Sequence, residues 1–428
     1  MTRPPGRARW RFARLYAAPH RLAFCGGALM LAASALWWAA ATLAQTRGHP
    51  VRFGLPPFPA HGLLMALGFM PLFFAGFLFT AGPRWLGRPA VPAARLAAPL
   101  AAQRAGWAVF LIAVHGRDPA FGAVLGGFAL AAVACGWTQL WRRFTGMLLA
   151  STAEDAVHAR IVAVAGACGA LAMWAAAAGV ALADYALARA AVQAALWWFI
   201  GIVYAAVAHR MIPFFSAAAL PALDAWRPLW LLWSLVALLA FEGVFAVAEA
   251  ALGAAPAAAQ ALRAAVELPA GALLLALAVR WGVVQSLAHR LLAMLHLGFV
   301  WLGLAFVLAG VSHALAAATG NALSLGAAPL HAYTVGFLGS TLIAMATRVS
   351  TGHGGRAVAA DAIAWTLFWS LQAVALTRVA AAVLAAVGST LAMPLVAAAA
   401  VGWCAVWAAW AARYGRWYGR PRPDGRPG

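Results

Sequence analysis

The chain has 428 residues, 65% of them hydrophobic and only 9% charged, where a soluble domain carries about 25% charged residues. That composition excludes an ordinary water-soluble enzyme and places the chain among polytopic all-α membrane proteins, so length is no guide to domain number. The formal charge of +20 does not point to nucleic acid: all thirty basic residues are arginine, gathered at the ends of apolar runs and in the two tails, as membrane topology requires.

In chain order, the stretch 1–21 is basic and precedes an apolar run from Leu22 to about Ala44. That run exceeds the roughly 7–15 residues of a signal-peptide core and reads as a first transmembrane helix. A bilayer core takes about 20 apolar residues per helix. Twelve spans follow on that measure, at about 22–45, 61–82, 93–115, 119–141, 159–182, 186–208, 228–250, 260–281, 290–317, 327–347, 360–385 and 388–412. Arg104, Glu267 and Arg378 interrupt the third, eighth and eleventh. No solenoid-like period appears. The expectation is one integral-membrane domain over 1–428: a basic tail 1–21, a twelve-span bundle 22–412 and a basic tail 413–428. The cysteines Cys25, Cys135, Cys168 and Cys404 each sit alone in apolar surroundings, with no C-x-x-C. They read as small buried hydrophobes, not a disulfide framework.

Arginine sets the orientation. With the N-terminus in the cytoplasm and twelve alternating spans, the cytoplasmic tails and loops hold 23 arginines and the opposite side five, with Arg104 and Arg378 inside spans. This is a strong positive-inside asymmetry, and it puts both termini in the cytoplasm.

The same topology sorts the histidines. His49, His61, His115, His313 and His331 fall to the outer side; His20, His158, His209, His289, His296 and His353 fall to the cytoplasmic side. The stretch PLHAYTVGFLGSTLIAMATRVSTGHGGR (329–356) has His331 near one end and Arg348 with His353 near the other. His331 and Arg348 are roughly 25 Å apart along a helix, so this span serves two places. Imidazole binds haem iron, copper and zinc, and ligands from facing helices are the ordinary way a bundle builds a cofactor site. The candidate metal ligands are His61, His313 and His331 on the outer side and His209, His296 and His353 on the inner side. His296 lies inside the apolar run LLAMLHLGFVWLGLAF, where an ionisable group marks a functional position. His20, His49, His115 and His158 read as plain interfacial residues.

Arg104, Glu242 and Arg378 are intramembrane charges. Glu242 and Arg378 lie at matched depth and are expected either to pair or to support the propionates of a cofactor. Glu267 and Gln193 are further polar positions without a stated role. Gly336 and Gly339 read as close-packing positions. STGHGGR (350–356) reads as either a backbone anion nest or a helix C-cap. H-E-x-x-H, G-x-x-x-x-G-K and G-x-S-x-G motifs are missing.

Several stretches resemble one family. HGLLMALGFMPLFFAGFLFTAGPRWLGRP (61–89), HRMIPFF (209–215), HLGFVWLGL (296–304) and LHAYTVGFLGSTLIAMATRVSTGHGGR (330–356) are similar to conserved blocks of the NnrS family, bacterial inner-membrane proteins linked to the nitric oxide response. The resemblance covers nearly the whole chain. It implies a multi-pass protein of the cytoplasmic membrane that binds haem b and copper, relieves nitrosative stress, and meets nitric oxide or metal–nitrosyl species. His61, His296, His331, Arg348, His353 and Arg356 match motif positions. The implied haem ligands are His61 with His331 and His296 with His353. Arg348 and Arg356 are the implied supporting residues, to which the intramembrane charges Arg104, Arg378 and Glu242 are added as further candidates. A bis-His haem suits electron transfer or sensing, whereas binding nitric oxide needs an open position. The chain departs from the family at the second span, which usually begins His-x-His-Glu-Met. Here the residues are His61, Gly62, Leu63, Leu64 and Met65, so a histidine and a glutamate are replaced by leucines where copper would be expected. His209 also stands where a smaller residue is usual.

Two other classes compete. A secondary transporter also uses twelve spans, with Glu242, Arg104 and Arg378 lining a pathway, but the halves show no clear repeat. A haem–copper oxidase or nitric oxide reductase needs an adjacent His-His pair, and the sequence has none. With both tails cytoplasmic, a fluorescent protein fused after the last residue is expected to fluoresce, and alkaline phosphatase fused there to stay inactive. The reverse pattern refutes the topology.

Overall fold

A computed structural model describes residues 9–49 and 51–425. The expected tails lie partly outside them, at 1–8 and 426–428. Among the described residues there are twelve helices long and apolar enough to cross a membrane, and no strand. They are α1 (Pro19–Thr46), α2 (Pro57–Trp85), α3 (Ala93–Val114), α4 (Pro119–Leu149), α5 (Val157–Ala181), α6 (Tyr185–Ala219), α7 (Leu229–Leu252), α8 (Ala257–Arg280), α9 (Arg290–Thr319), α10 (Ala328–His353), α11 (Ala362–Ala386) and α12 (Ala392–Tyr418). Arg104, Glu267 and Arg378 do not break their helices. The last helix runs six residues past the expected 412, because Tyr414 and Tyr418 are buried against the bundle.

Local chemistry starts these helices. Pro19, Pro57 and Pro119 occupy first positions, where a missing N–H costs nothing. Asp118, Asp184 and Asp361 cap α4, α6 and α11 by accepting from backbone N–H groups two or three residues on. Partial burial works against the Asp361 carboxylate, but the Ala364 N–H and Arg413 outweigh it and hold its pKa below the ordinary value.

The two described chain ends share one face. The Arg11 N–H donates to the Gly419 carbonyl at 2.8 Å. Buried Arg21 donates to the carbonyls of Tyr418 and Arg420 at 3.2 and 2.9 Å. Helix α1 therefore packs along α12 and closes the bundle. This side is called the terminal face below, and the opposite side the far face. Large apolar side chains such as Leu29, Leu36, Phe128, Leu171 and Leu273 point outward, as a lipid-facing surface requires. Helices α2, α6, α9 and α10 are the most enclosed. Where α8 meets α9, Gly271 and Gly303 face each other's backbone, the close approach that small residues permit in lipid.

Three of the enclosed helices are irregular. Helix α2 breaks between Leu67 and Met70, because Pro71 has no N–H for the carbonyl of Leu67. Helices α6 and α10 each widen into a π-helical segment, Ala195–Gly201 and Ala332–Gly339. Such segments gather at functional sites. Here they lean on each other. Trp197 stacks on Tyr333 with ring centroids 4.3 Å apart, and the Tyr333 hydroxyl donates to the Leu196 carbonyl at 3.0 Å. Gly201 makes room for this, since a Cβ there would lie 2.2 Å from the Tyr333 oxygen.

Gly201→Ala is therefore expected to destabilise the protein by about 1–3 kcal/mol through overpacking, read as a lower thermal midpoint in detergent. Adding Tyr333→Phe should recover part of the loss. An unchanged midpoint in the single variant would show that the two segments do not depend on this contact.

Candidate functional site

Toward the far face the irregular helices enclose a cavity of about 570 Å³, within the roughly 300–1,000 Å³ usual for cofactor pockets. His61 enters it from the second turn of α2, and His331 from the first turn of α10. Arg378 reaches it from α11. The ionisable neighbours of His61 are His331 and Arg378.

Hydrogen bonding fixes what these groups offer. Nδ1 of His331 lies 2.8 Å from the Ala327 carbonyl. A carbonyl only accepts, so Nδ1 carries the proton and the neutral ring keeps its lone pair on Nε2. The His61 ring lies against Trp38 at 4.0 Å, and its buried Nδ1 has no hydrogen-bond partner. The indole N–H groups of Trp197 and Trp403, also at the cavity wall, are buried and unpartnered. Arg378 makes no hydrogen bond or ion pair with any described residue. The buried groups among these normally have partners, and half-buried Arg378 adds a cation beside them, so the wall has capacity for an acceptor-rich, anionic guest.

The other end of the cavity is charged. Arg263 meets Glu242 at 3.1 Å, Glu249 at 2.8 Å and Glu267 at 3.3 Å. His313 Nδ1 lies 2.5 Å from Glu267. The expected pairing of Glu242 with Arg378 is thus corrected: Glu242 pairs with Arg263. Helix α8 begins at Ala257, which carries Arg263 nearly two turns inside and beside α7. One arginine faces three carboxylates, and the remaining Glu242 oxygen is buried without a partner.

The inner-side candidates do not form the expected His296–His353 pair. Ser216 spends its hydroxyl proton on the Ile212 carbonyl at 2.8 Å, so it accepts from His296 Nε2, also at 2.8 Å. His353 instead lies by His20, with ring centroids 5.0 Å apart. His209 donates from Nε2 to the Pro228 carbonyl at 3.1 Å and so accepts at Nδ1 from His158 at 3.0 Å. His20 and His158 are buried, 3% and 4% exposed, and the reading of both as interfacial residues is corrected. Each lies in the first turn of its helix against a histidine from another helix, His20 by His353 and His158 by His209, a lateral contact that hydropathy does not register. His49 and His115 are exposed. Arg348 stacks on Phe215 at 3.5 Å and Arg356 on Trp417 at 4.0 Å. Burial, with Arg21, Arg420 and Arg413 nearby, lowers the Arg356 pKa from its ordinary value. The Arg104 side chain packs over Gly26 of α1 and does not line the cavity.

Sequence reasoning missed Arg263 and the aromatic wall of Trp38, Trp197 and Trp403. The i,i+4 spacing of Arg263 and Glu267 was a usable signal, since it puts both on one helix face. Arg263→Ala is expected to destabilise the protein by about 3–5 kcal/mol, because the glutamates are left buried and unpaired. The measurement is thermal stability in detergent. Converting Glu242 to Gln in the same chain should restore part of it, and full stability in the single variant would remove Arg263 as the network's anchor.

Residues 14–422 of the chain match the sequence model of the NnrS protein family. No curated protein sequence matches it. With nearly the whole chain covered and twelve apolar helices enclosing a histidine-lined cavity, the chain belongs to the NnrS family.

Proposed function

We propose that this protein binds haem b in the far-face cavity, with His61 and His331 as its imidazole ligands, and that it protects a bacterial cytoplasmic membrane and its cell against nitric oxide. The observation that carries the reading is the wall itself. Two histidines from facing helices, one with its lone pair set on Nε2 by the Ala327 carbonyl, share a cavity with an unpartnered arginine and two unpartnered indole donors. Haem, when bound, would supply a redox-active iron, open to nitric oxide or another diatomic molecule where one of the two imidazoles gives way.

The chain's own residues divide the work. His331 is held in one tautomer, and the backbone carbonyl behind it raises its basicity as a ligand. Trp38 lies against the His61 ring and fixes its plane. Arg378, Trp197 and Trp403 would donate to the carboxylates of the group. The apolar wall around them, including Phe69, Leu338 and Val374, keeps water out and strengthens those contacts.

The reading does not extend to copper or to a second haem. Among the described residues no group of three His, Cys, Asp or Glu is placed to hold a metal ion. Leu63 and Leu64, both fully buried, fill the positions where the resemblance expects a histidine and a glutamate. At the terminal face His296 is tied to Ser216 and does not line the large cavity. A transporter is the second reading, favoured by the Arg263–glutamate cluster at the cavity wall.

The deciding measurement is the optical spectrum of the detergent-purified chain, oxidised and dithionite-reduced, with metal analysis of the same sample. A reduced b-type band is expected, with iron and little copper. His61→Ala and His331→Ala should each lose most of the haem, while His296→Ala and His353→Ala keep it. A featureless spectrum, with substrate-driven flux in proteoliposomes, would replace haem binding by transport.

A further inference from the structure

Next to the large cavity lies a second, smaller one of about 50 Å³ between α1, α2, α6 and α10. A cavity needs only about 10–15 Å³ to admit one water-sized guest, so this one has room for a molecule of a few atoms. Its deep end is walled by buried side chains, among them Phe74, Tyr204, Leu342 and Ala346. Phe77, Val207, Met345 and Val349 are half-buried and form its mouth, on the terminal half of the bundle. The wall presents no polar surface. Two residues with hydroxyls border it, and neither is offered to a guest. The Tyr204 hydroxyl donates to Met70 Sδ at 3.2 Å, and the Thr341 hydroxyl, buried without a partner, is turned toward Gly298 of α9 and adds no polar surface to the wall. Such a space stays dry and favours an apolar guest.

Its position matters as much as its chemistry. Tyr204 borders the small cavity and Met70 borders the large one. Their hydrogen bond is the contact where the two spaces meet, made by two side chains that are 6% and 3% exposed. A thioether is a weak acceptor on a flexible chain, so the side-chain bond that separates the two spaces is a weak one. Met70 begins the second half of α2, directly after the break at Gly68 and Phe69.

We propose that the small cavity is a gas site: it holds a diatomic or similarly small uncharged molecule and passes it to the large cavity through the Met70–Tyr204 partition. The delivery half rests on the haem reading given above; the binding half does not. Charged and bulky solutes are excluded by size and by the absence of any polar wall. Small uncharged ones arrive from the terminal half, at the side of the large cavity remote from its charged end.

The test uses xenon and the full-length protein. Purified protein equilibrated with xenon, haem-loaded or not, should show one saturable site by xenon NMR that disappears in Ala346→Leu and in Val207→Phe. Val207 is half-buried at the mouth, so its variant keeps the test alive if the first does not fold. In haem-loaded protein, Val207→Phe should slow carbon monoxide rebinding after photolysis by about tenfold, within the spread that mutants of one site show in association rate, with the absorption spectrum unchanged. Xenon binding that survives both variants overturns the site. Xenon binding that is lost while carbon monoxide rebinding is unchanged overturns the delivery route. A xenon site in a protein that binds no haem refutes the haem reading and leaves the gas site standing.

Discussion

A backbone in hydrocarbon has no water to bond with, so every departure from regular helix must be repaired by the protein. In this bundle the repair is the Tyr333 hydroxyl on the Leu196 carbonyl. It joins the widened segment of α10 to that of α6, and the stacked Trp197–Tyr333 pair covers the joint. Because both helices bulge at the same level, their side chains cannot close on one another below it. The space between them, capped by the broken turn of α2, is the large cavity. The candidate site is thus a consequence of three helix irregularities that satisfy each other.

The charges follow from the same enclosure. A cavity wall inside a membrane bundle has a low dielectric, where one unpaired charge is costly and a network is tolerated only when its hydrogen bonds are made. The wall is divided accordingly. At one end Arg263 gathers Glu242, Glu249 and Glu267, with His313 on the last of these. At the other, Arg378 stands apart with the unpartnered indoles of Trp197 and Trp403 and the unpartnered Nδ1 of His61. The acidic end would repel an anionic guest and the basic end would attract it, so the wall is polar along its length.

Much of the fold was legible because hydropathy reports depth. All twelve spans could be placed from apolar run length, even across Arg104, Glu267 and Arg378, since a helix in a bundle can turn one polar residue inward. Depth also grouped His61 with His331, which do border one cavity. What hydropathy does not encode is lateral position. It could not tell that Arg263, not Arg378, lies beside Glu242, nor that His353 meets His20 while His296 meets Ser216. Those facts depend on which helices are neighbours and how each is rotated. The π-helical segments were equally hidden: AYTVGFLG and ALWWFIG carry no proline or other local mark of a widened turn. Their cause is the tertiary contact between Tyr333 and Leu196.

The closure of α1 onto α12 bears on the order in which the protein is made. Arg21 is buried, and its guanidinium bonds to carbonyls 397 and 399 residues further along the chain. At about 5–20 residues per second, those acceptors leave the ribosome some tens of seconds after the arginine does. Through that interval the first helix sits in the bilayer with its charge unsatisfied and its inner side uncovered. The last turn of the last helix therefore completes the contacts of the first. A chain ending before Tyr418 would lack both carbonyls that Arg21 uses, although every residue that lines the large cavity would be present.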